Sequence, residues 1–559
     1  MVKNPDELVF LPLGGSGEIG MNLNLFGYGP AHDRKWIIVD IGVSFGDLTT
    51  PGIDIIMPDT EYIEAHVDNL LGIVLTHAHE DHMGALAKLW PRLKCPVYAT
   101  PFTMYLVKDR LAEAGFLDAV ELIEMPLRGR FDLGPFDIEY VTLTHSIPEP
   151  NALAIRTPVG MIFHTGDWKI DDRPQIGSSM DTHCLTGLKE EGILATVCDS
   201  TNALSPGHAG SEGDVREELI KLIGECRDCG VAVAGFASNI ARLESVMLAA
   251  KKHDRVVCLV GRSMHRMYGA ARSVGLMSGI NAIIDEKEAA CIPSGNVLYL
   301  CTGSQGEPRA ALSRIADGSH RTVKLGEGDV VIFSSKIIPG NEKNIFALQN
   351  KLSGKGIKIV TEKDRCIHVS GHPYQAELQQ MYDWTEPHIS IPVHGERRHL
   401  EEHARLARSW GVRHACAPHN GEMIRLSKDG PEVIDVVPNG RLHEDSGIIV
   451  KATDESLRLR RKMAHAGHIS VSLVINTRGS LISGPEPRMS GFPEGKDGEL
   501  LEHMLDSIAD LAGETFATLS GKSRTDEDTI ESKIRSAIRR RVNNTTDKRP
   551  VVEVIAHRI

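Results

Sequence analysis

The segment His77-Ala78-His79-Glu80-Asp81-His82 constrains this chain more than any other. It follows Leu71-Gly72-Ile73-Val74-Leu75-Thr76, a short apolar run that reads as a buried strand. Four potential metal ligands therefore stand within six residues at a strand end. Imidazole suits zinc and other borderline divalent ions, and carboxylate suits the same ions where a water must be activated. Histidines at i and i+2 of a loop can point both rings at one ion. Asp81 and His82, at the start of the next helix, can reach a second ion. A solvated polar loop is the plainer explanation of any one of these residues, but not of the set. The chemistry expected is metal-assisted hydrolysis.

Similar strand ends recur along the chain. Trp36 to Asp40, Met161 to His164 and Thr196 to Asp199 are short apolar runs that deliver a polar residue. Further ligand types stand at His145, Asp167 and His394, each in a short polar context of the kind Leu-Thr-His-Ser, Thr-Gly-Asp or Val-His-Gly. Taken singly, each reads equally well as a surface or capping residue. Taken together they complete two coordination shells.

Helical stretches are expected over Met83 to Trp90 and Thr103 to Ala114, so the class is α/β. From about residue 206 the texture changes. Helices at Glu212 to Glu225 and Leu243 to Lys252 alternate with strands at Val231 to Phe236, Val256 to Val260, Val297 to Cys301 and Val330 to Ser334. This alternation predicts a parallel sheet. The first texture returns with His368-Val369-Ser370-Gly371-His372 and Ile391-Pro392-Val393-His394-Gly395. The middle therefore reads as an insertion into a domain that resumes. Beyond about 440 come a short basic stretch, Leu457 to Lys462, a strand at Ile469 to Ile475, and helices near Leu500 to Ala512 and Asp528 to Arg541.

Bulk properties add bounds. At 559 residues the chain has room for about three domains. No apolar stretch is long enough to cross a membrane. The start lacks the basic and apolar pattern of a secretion signal, and ten scattered cysteines form no framework. A cytoplasmic protein with reduced thiols is expected. A net charge of −13 is weak evidence against a nucleic-acid partner, because a polyanion needs only a locally positive groove.

The pattern His-x-His-x-Asp-His, followed by isolated His, Asp and His residues, resembles the metallo-β-lactamase fold. The insertion, with Asp199, His372 and His394, resembles its β-CASP nucleic-acid-processing branch. Leu13 to Gly20, Cys301 to Pro308, Ser335 to Glu342 and Pro392 to Glu396 narrow the resemblance to bacterial ribonuclease J, over about residues 8 to 425. The fold implied is an αββα sandwich with an inserted parallel-sheet β-CASP domain and a small C-terminal α/β domain. The division expected is 1–205 for the first part of the sandwich, 206–355 for the insertion, 356–440 for the return segment, 441–460 for a linker and 461–559 for the C-terminal domain.

Carried onto this sequence, the resemblance implies two divalent metals, zinc foremost, with manganese or magnesium as alternatives. His77, His79 and His145 would hold one. Asp81, His82 and His394 would hold the other, with Asp167 bridging. Asp40 and Asp199 would stand behind the ligands, Asp40 orienting their imidazoles. Asp81, His82 and His372 would serve catalysis, His372 at the scissile phosphate or leaving group. Ser238, Asn239, Arg262, Ser370 and Gly371, with His372, are candidates for binding substrate, chiefly a 5′-monophosphate. The implied activity is 5′-to-3′ exoribonuclease and endoribonuclease cleavage of single-stranded RNA, in RNA decay and in rRNA and mRNA maturation. Homodimers or homotetramers and no membrane are implied as well.

Two other functions compete. A small-molecule hydrolase of the same fold leaves the long insertion unexplained, and a non-catalytic RNA-binding subunit leaves the full ligand set unexplained. Three decoys carry less. Gly15-Ser16-Gly17-Glu18-Ile19-Gly20 matches a dinucleotide fingerprint, with Asp40 twenty residues on, but Met21 to Phe26 alternates like a strand where a helix is required. The glycines are expected to form a tight turn near the metal site. Cys226-Arg227-Asp228-Cys229 lacks a second pair and reads as structural. The basic C-terminal helix reads as a solvated face, a partner contact or an RNA contact.

Overall fold

A computed structural model describes residues 6–47, 49–280, 282–495 and 498–559. The chain divides into two units. One runs to Ser44 and resumes over Met57–Gly440; the other comprises Phe45–Ile56 and Arg441–Ile559.

In the first unit, short strands of β-branched and aromatic residues build two mixed sheets. The eight-stranded sheet runs in the order Gly430–Val436, Glu422–Ser427, Glu7–Gly14, Leu23–Gly29, Lys35–Val39, Leu70–Val74, Val97–Ala99, Leu122–Glu124. The seven-stranded sheet runs Arg130–Leu133, Phe136–Thr142, Asn151–Arg156, Met161–His164, Ile193–Asp199, Ile389–Val393, His414–Ala415. Alternate side chains of both, such as Phe10, Phe26, Val39 and Val74 against Ile138, Leu153, Ile162 and Ile391, share one buried core. Helices cover the outer faces. Leu185, Leu188, Leu378 and Met381, from the helices Thr182–Glu191 and Gln375–Thr385, pack on the far side of the second sheet. This is the expected αββα sandwich.

The strand Met21 to Phe26, expected in place of a dinucleotide-binding helix, is present as Leu23–Gly29. The helix expected to begin at Met83 begins at Glu80, so Asp81 and His82 lie in its first turn. It breaks before Leu86–Leu93, because the N–H of Ala85 donates to the carbonyl of Ile41 across the domain (3.0 Å) rather than within the helix.

The insertion leaves the sandwich after Ile193–Asp199 and returns at Ile389–Val393, the strand paired beside it with Asp199 opposite Val393. It holds an all-parallel sheet in the order Val256–Val260, Val297–Cys301, Val231–Ala234, Val330–Phe333, Lys358–Val360. The last strand lies past the boundary expected at 355; three residues between glycine-containing turns give too short a pattern to read. A buried charge network fastens the insertion to the sandwich. Lys169 Nζ donates to Asp171 (3.1 Å) and to the carbonyl of Gly210 (3.0 Å). Asp171 accepts from the N–H of Glu212 (2.9 Å), and Glu212 pairs with Arg242 (2.8 Å). Arg242 also donates to the carbonyls of Ser334 and Ile367.

The second unit corrects one expectation. The stretch 441–460 is no linker: Arg441–Asp445 and Ile448–Lys451 pair antiparallel, and the helix Glu455–Ala466 begins within it. Ser446 and Gly447, both at positive φ, form the two-residue hairpin turn that alternation alone did not reveal. These strands join Ser44–Phe45 and Ile55–Pro58 in a four-stranded sheet. A three-stranded sheet, Leu481–Ser490, His468–Ile475 and Val551–Arg558, follows. Ile508, Ala512 and Phe516 of Glu499–Ala517, and Ile530, Ile534, Ile538 and Val542 of Glu527–Thr546, pack on one of its faces.

Candidate metal centre

Every expected metal ligand converges on one point at the strand ends of the sandwich. Among the described residues, three overlapping donor groups form: His77, His79, His145 and Asp167; Asp81, His82, Asp167 and His394; and Asp167, Asp199, His372 and His394. Backbone geometry sets the approach. A Cβ on Gly42 would fall 1.7 Å from the carbonyl oxygen of Asp81, so only glycine lets the ligand loop pack this close. Asp40 and His394 both hold positive φ, 63° and 52°, an uncommon conformation for side-chain-bearing residues that clusters where function demands it. The loop Gly15 to Gly20 is the expected turn beside the site: Gly15 accepts from the N–H of His394 (2.7 Å).

Hydrogen bonds to one nitrogen of each ring decide which nitrogen faces the centre. Thr76 Oγ1 donates to Asp40 Oδ2 (2.8 Å) and so accepts from His77 Nδ1 (3.0 Å). His82 Nδ1 donates to Asp40 Oδ2 (2.7 Å), and His145 Nδ1 to the carbonyl of Gly371 (2.5 Å). Thr201 Oγ1 donates to Asp199 Oδ1 (2.8 Å) and accepts from His394 Nδ1 (2.8 Å). Each of these four rings thus turns an Nε2 lone pair inward. His79 is reversed: its Nε2 meets Ser238 Oγ (3.2 Å) and its Nδ1 faces inward.

The inward nitrogens crowd together. His79 Nδ1 lies 3.1 Å from His77 Nε2 and 3.2 Å from His145 Nε2. Ligands of a tetrahedral zinc at about 2.0–2.1 Å stand about 3.3 Å apart, so the spacing fits one ion. Burial, with repulsion from neighbouring imidazoles, pushes His77 and His145 well below the usual histidine range. Burial is also the largest influence on His79, at about 4. All three are therefore neutral, the form that binds metal.

The other half is charged. His82 Nε2 lies 3.1 Å from Asp167 Oδ2, and His394 Nε2 lies 3.1 Å from Asp81 Oδ2. Burial opposes charge on His394, but Asp167, Asp199 and Asp81 outweigh it and raise it to about 10. Burial likewise opposes charge on Asp81 and Asp167, yet the facing imidazolium groups hold both carboxyls below their usual range. Asp167 is 2% exposed, and its Oδ1 has no hydrogen-bond partner. A buried carboxylate oxygen left bare, amid inward lone pairs, fits a bound cation.

His372 lies beside these groups. Its Nδ1 donates to Asp199 Oδ2 (2.8 Å); burial lowers its proton affinity, but Asp199 and Asp167 raise it further, above the usual histidine range. Asn202 Nδ2 pins the loop by donating to Ser370 Oγ (2.8 Å) and to the carbonyl of His372 (3.2 Å).

The remaining substrate candidates divide. Ser238 reaches the centre through His79, and Ser370 and Gly371 border it. Asn239 is occupied: it caps the helix Ile240–Lys252 by accepting from the N–H of Arg242 (2.9 Å) and donates to Glu212 (3.1 Å). Arg262 is exposed at the start of the helix Arg262–Ser273, and no contact among the described residues joins it to the cluster. Thr76, Thr201 and Asn202 are orienting residues that sequence reasoning missed. Their only signal was position, beside His77 and Asp199 at the strand ends.

Comparison with known proteins agrees with this geometry. Four family models match in chain order: the Beta-lactamase superfamily domain over residues 36–189, the Ribonuclease J beta-CASP domain over 229–352, the Zn-dependent metallo-hydrolase RNA specificity domain over 356–417, and the Ribonuclease J C-terminal domain over 455–559. A ribonuclease J of Sinorhizobium meliloti is 44% identical, covering 99% of this chain and 98% of that protein. The chain belongs to the ribonuclease J family. Ribonuclease J of Corynebacterium glutamicum is 36% identical over 97% of this chain and 74% of that protein. Ribonuclease J of Thermus thermophilus is 35% identical over 84% of this chain and 82% of that protein. A crystal structure of an Enterococcus faecalis protein of unknown function, 17% identical, covers 75% of this chain and is itself covered completely, with a TM-score of 0.51; it shares the fold. In ribonuclease J terms, the beta-CASP match covers the inserted parallel sheet, and the C-terminal match takes in the helix at Glu455–Ala466.

Proposed function

We infer that the chain is a metal-dependent ribonuclease of the ribonuclease J type, degrading single-stranded RNA from a 5′-monophosphate end in the 5′-to-3′ direction and also cutting internally. The observation that carries this reading is the buried convergence of inward-facing imidazoles and carboxylates on the unpartnered oxygen of Asp167. We assign two divalent ions, zinc foremost and manganese or magnesium as alternatives. His77, His79 and His145 hold one, Asp81, His82 and His394 the other, and Asp167 both. Ions so held act as Lewis acids that ease deprotonation of a water and neutralise charge on phosphoryl oxygens.

The chain's own residues do the rest. Asp40, Thr76, Thr201 and the Gly371 carbonyl hold the ligand rings in the tautomer that presents a lone pair. Asp199 fixes His372 through Nδ1 and favours its charged form, so its Nε2 can bind a phosphate oxygen or protonate the departing 3′-oxygen. Ser370 and the loop around Gly371 supply short polar donors beside that position, and Ser238 brings the insertion to the same place. Asp81 and His82 are the residues on which activity should depend most. Asn239 and Arg262 have the weaker claim, one being already bonded and the other remote.

We further propose a homodimer or homotetramer in the cytoplasm, working in RNA decay and in rRNA and mRNA maturation. No described helix is long and apolar enough to cross a membrane. The domain division is proposed as 1–205, 206–360 and 361–440 for the sandwich and its insertion, followed by a C-terminal unit from 441. The test is an Asp81→Ala/His82→Ala double variant with wild-type circular dichroism. Loss of RNA cleavage and of bound metal is expected, and undiminished cleavage would overturn the metal assignment.

A further inference from the structure

The C-terminal unit gathers positive charge in a chain whose net charge is −13. Three of its elements contribute. The helix Glu527–Thr546 buries Ile530, Ile534, Ile538 and Val542 at four-residue steps. The row one residue further on, Arg535, Arg539 and Asn543, therefore lies along one flank of that buried stripe, at steps of about 6 Å. Arg549, from the turn leading into the strand Val551–Arg558, extends the row by donating to Asn543 Oδ1 (3.3 Å). Lys462 comes to the same place from the helix Glu455–Ala466, with Arg458 one turn before it.

Local carboxylates do not absorb this charge. Arg458 is paired with Glu455, and Arg535 with Glu531 (3.5 Å). Arg539 and Lys462 form no ion pair among the described residues, and Arg539, Arg540 and Arg549 are exposed. Lys462 is pushed below the usual lysine range, by partial burial first and then by the charges of Arg539, Arg458 and Arg549. Like charges held this close repel one another and do nothing for the fold. A polyanion laid across them removes the repulsion.

We propose that Lys462, Arg539 and Arg549 form a phosphate-binding surface for the backbone of single-stranded RNA, separate from the metal centre. The proposal rests on RNA being the substrate. The contacts are charge and donor contacts to phosphate, so the surface holds RNA without reading its sequence. Its effect is on long substrates, which can touch it while an end is being cleaved; a short oligonucleotide gains nothing from it.

The test uses the full-length chain and two triple variants. In one, Lys462→Gln, Arg539→Gln and Arg549→Gln remove the charges. In the other, Lys462→Arg, Arg539→Lys and Arg549→Lys keep them. Binding of oligoadenylate of about 30 nucleotides is measured across a salt series with metal chelated, beside hydrolysis of an oligoadenylate of about 4 nucleotides with metal present. The neutral variant should bind the long RNA about tenfold more weakly, with a slope of log affinity against log salt smaller by about 2, three contacts at about 0.7 each. Its turnover of the short RNA should be unchanged, and the charge-keeping variant should bind as wild type does. Unchanged long-RNA binding in the neutral variant would overturn the proposal. So would a loss shared by the charge-keeping variant, or an altered oligomer mass with RNA binding intact, which would mark a protein contact. Wild-type protein that neither binds nor cleaves either RNA would refute the ribonuclease reading itself, and this surface with it.

Discussion

Replacing Asp40 with Asn tests how the centre holds its metal without touching a ligand. Asp40 is fully buried and accepts three hydrogen bonds: from Thr76 N (2.8 Å), Thr76 Oγ1 (2.8 Å) and His82 Nδ1 (2.7 Å). An asparagine keeps one acceptor oxygen. If that oxygen serves the Thr76 N–H, the new NH2 faces His82 Nδ1. The ring proton must then move to Nε2, the nitrogen that lies 3.1 Å from Asp167. His82 would present an N–H where a lone pair is required. If the amide flips, its NH2 faces the Thr76 N–H instead, and a buried donor goes unsatisfied at a cost of about 1–3 kcal/mol. Either outcome weakens metal binding by roughly 10–100-fold, about 1.4–2.7 kcal/mol, the range typical of groups that orient a ligand from behind. Competition with a chromophoric chelator reads the affinity, and RNA hydrolysis at limiting metal reads the consequence. Metal affinity within twofold of wild type would refute the orienting role.

Other perturbations follow from the same contacts. His372→Ala should lower kcat for RNA by roughly 10²–10⁴ while metal content, read by elemental analysis, stays at the wild-type value. Apparent metal affinity should rise with pH. His394 in the metal-free centre keeps its proton up to about 10, a ligand must lose it, and low pH therefore favours the metal-free form. A chelator titration from pH 6 to pH 9 should show about a tenfold gain per unit for each proton released, and a flat profile would contradict the charge assignment. Arg242→Met should leave Glu212 buried without its cation and lower stability by roughly 3–5 kcal/mol in denaturant titration, since that pair lies where the insertion meets the sandwich.

The metal ligands were legible in the sequence because each stands at the end of an apolar run, and a buried strand delivers its terminal side chain to a predictable edge. The insertion was legible for a related reason: its strands alternate with helices, as a parallel sheet requires. What was not legible depends on neighbours distant in the chain. Thr76 and Thr201 look like ordinary strand-end residues until Asp40 and Asp199 fold against them. The carbonyl of Gly371 orients His145 across 226 residues, and no side-chain pattern announces a backbone acceptor. Asn239 was misjudged despite an available signal, since asparagine directly before a helical run favours the capping role it takes. The stretch 441–460 looked like a linker because its strands are only four and five residues long.

The most direct test of the account compares two RNAs of one sequence, one with a 5′-monophosphate and one with a 5′-triphosphate, each labelled at either end, with a divalent metal present. The account predicts that the monophosphate RNA is shortened from its 5′ end to mononucleotides, faster than the triphosphate RNA, and that the Asp81→Ala/His82→Ala variant does neither. Intact RNA of both kinds with zinc, manganese and magnesium alike, or undiminished degradation by the double variant, would contradict it.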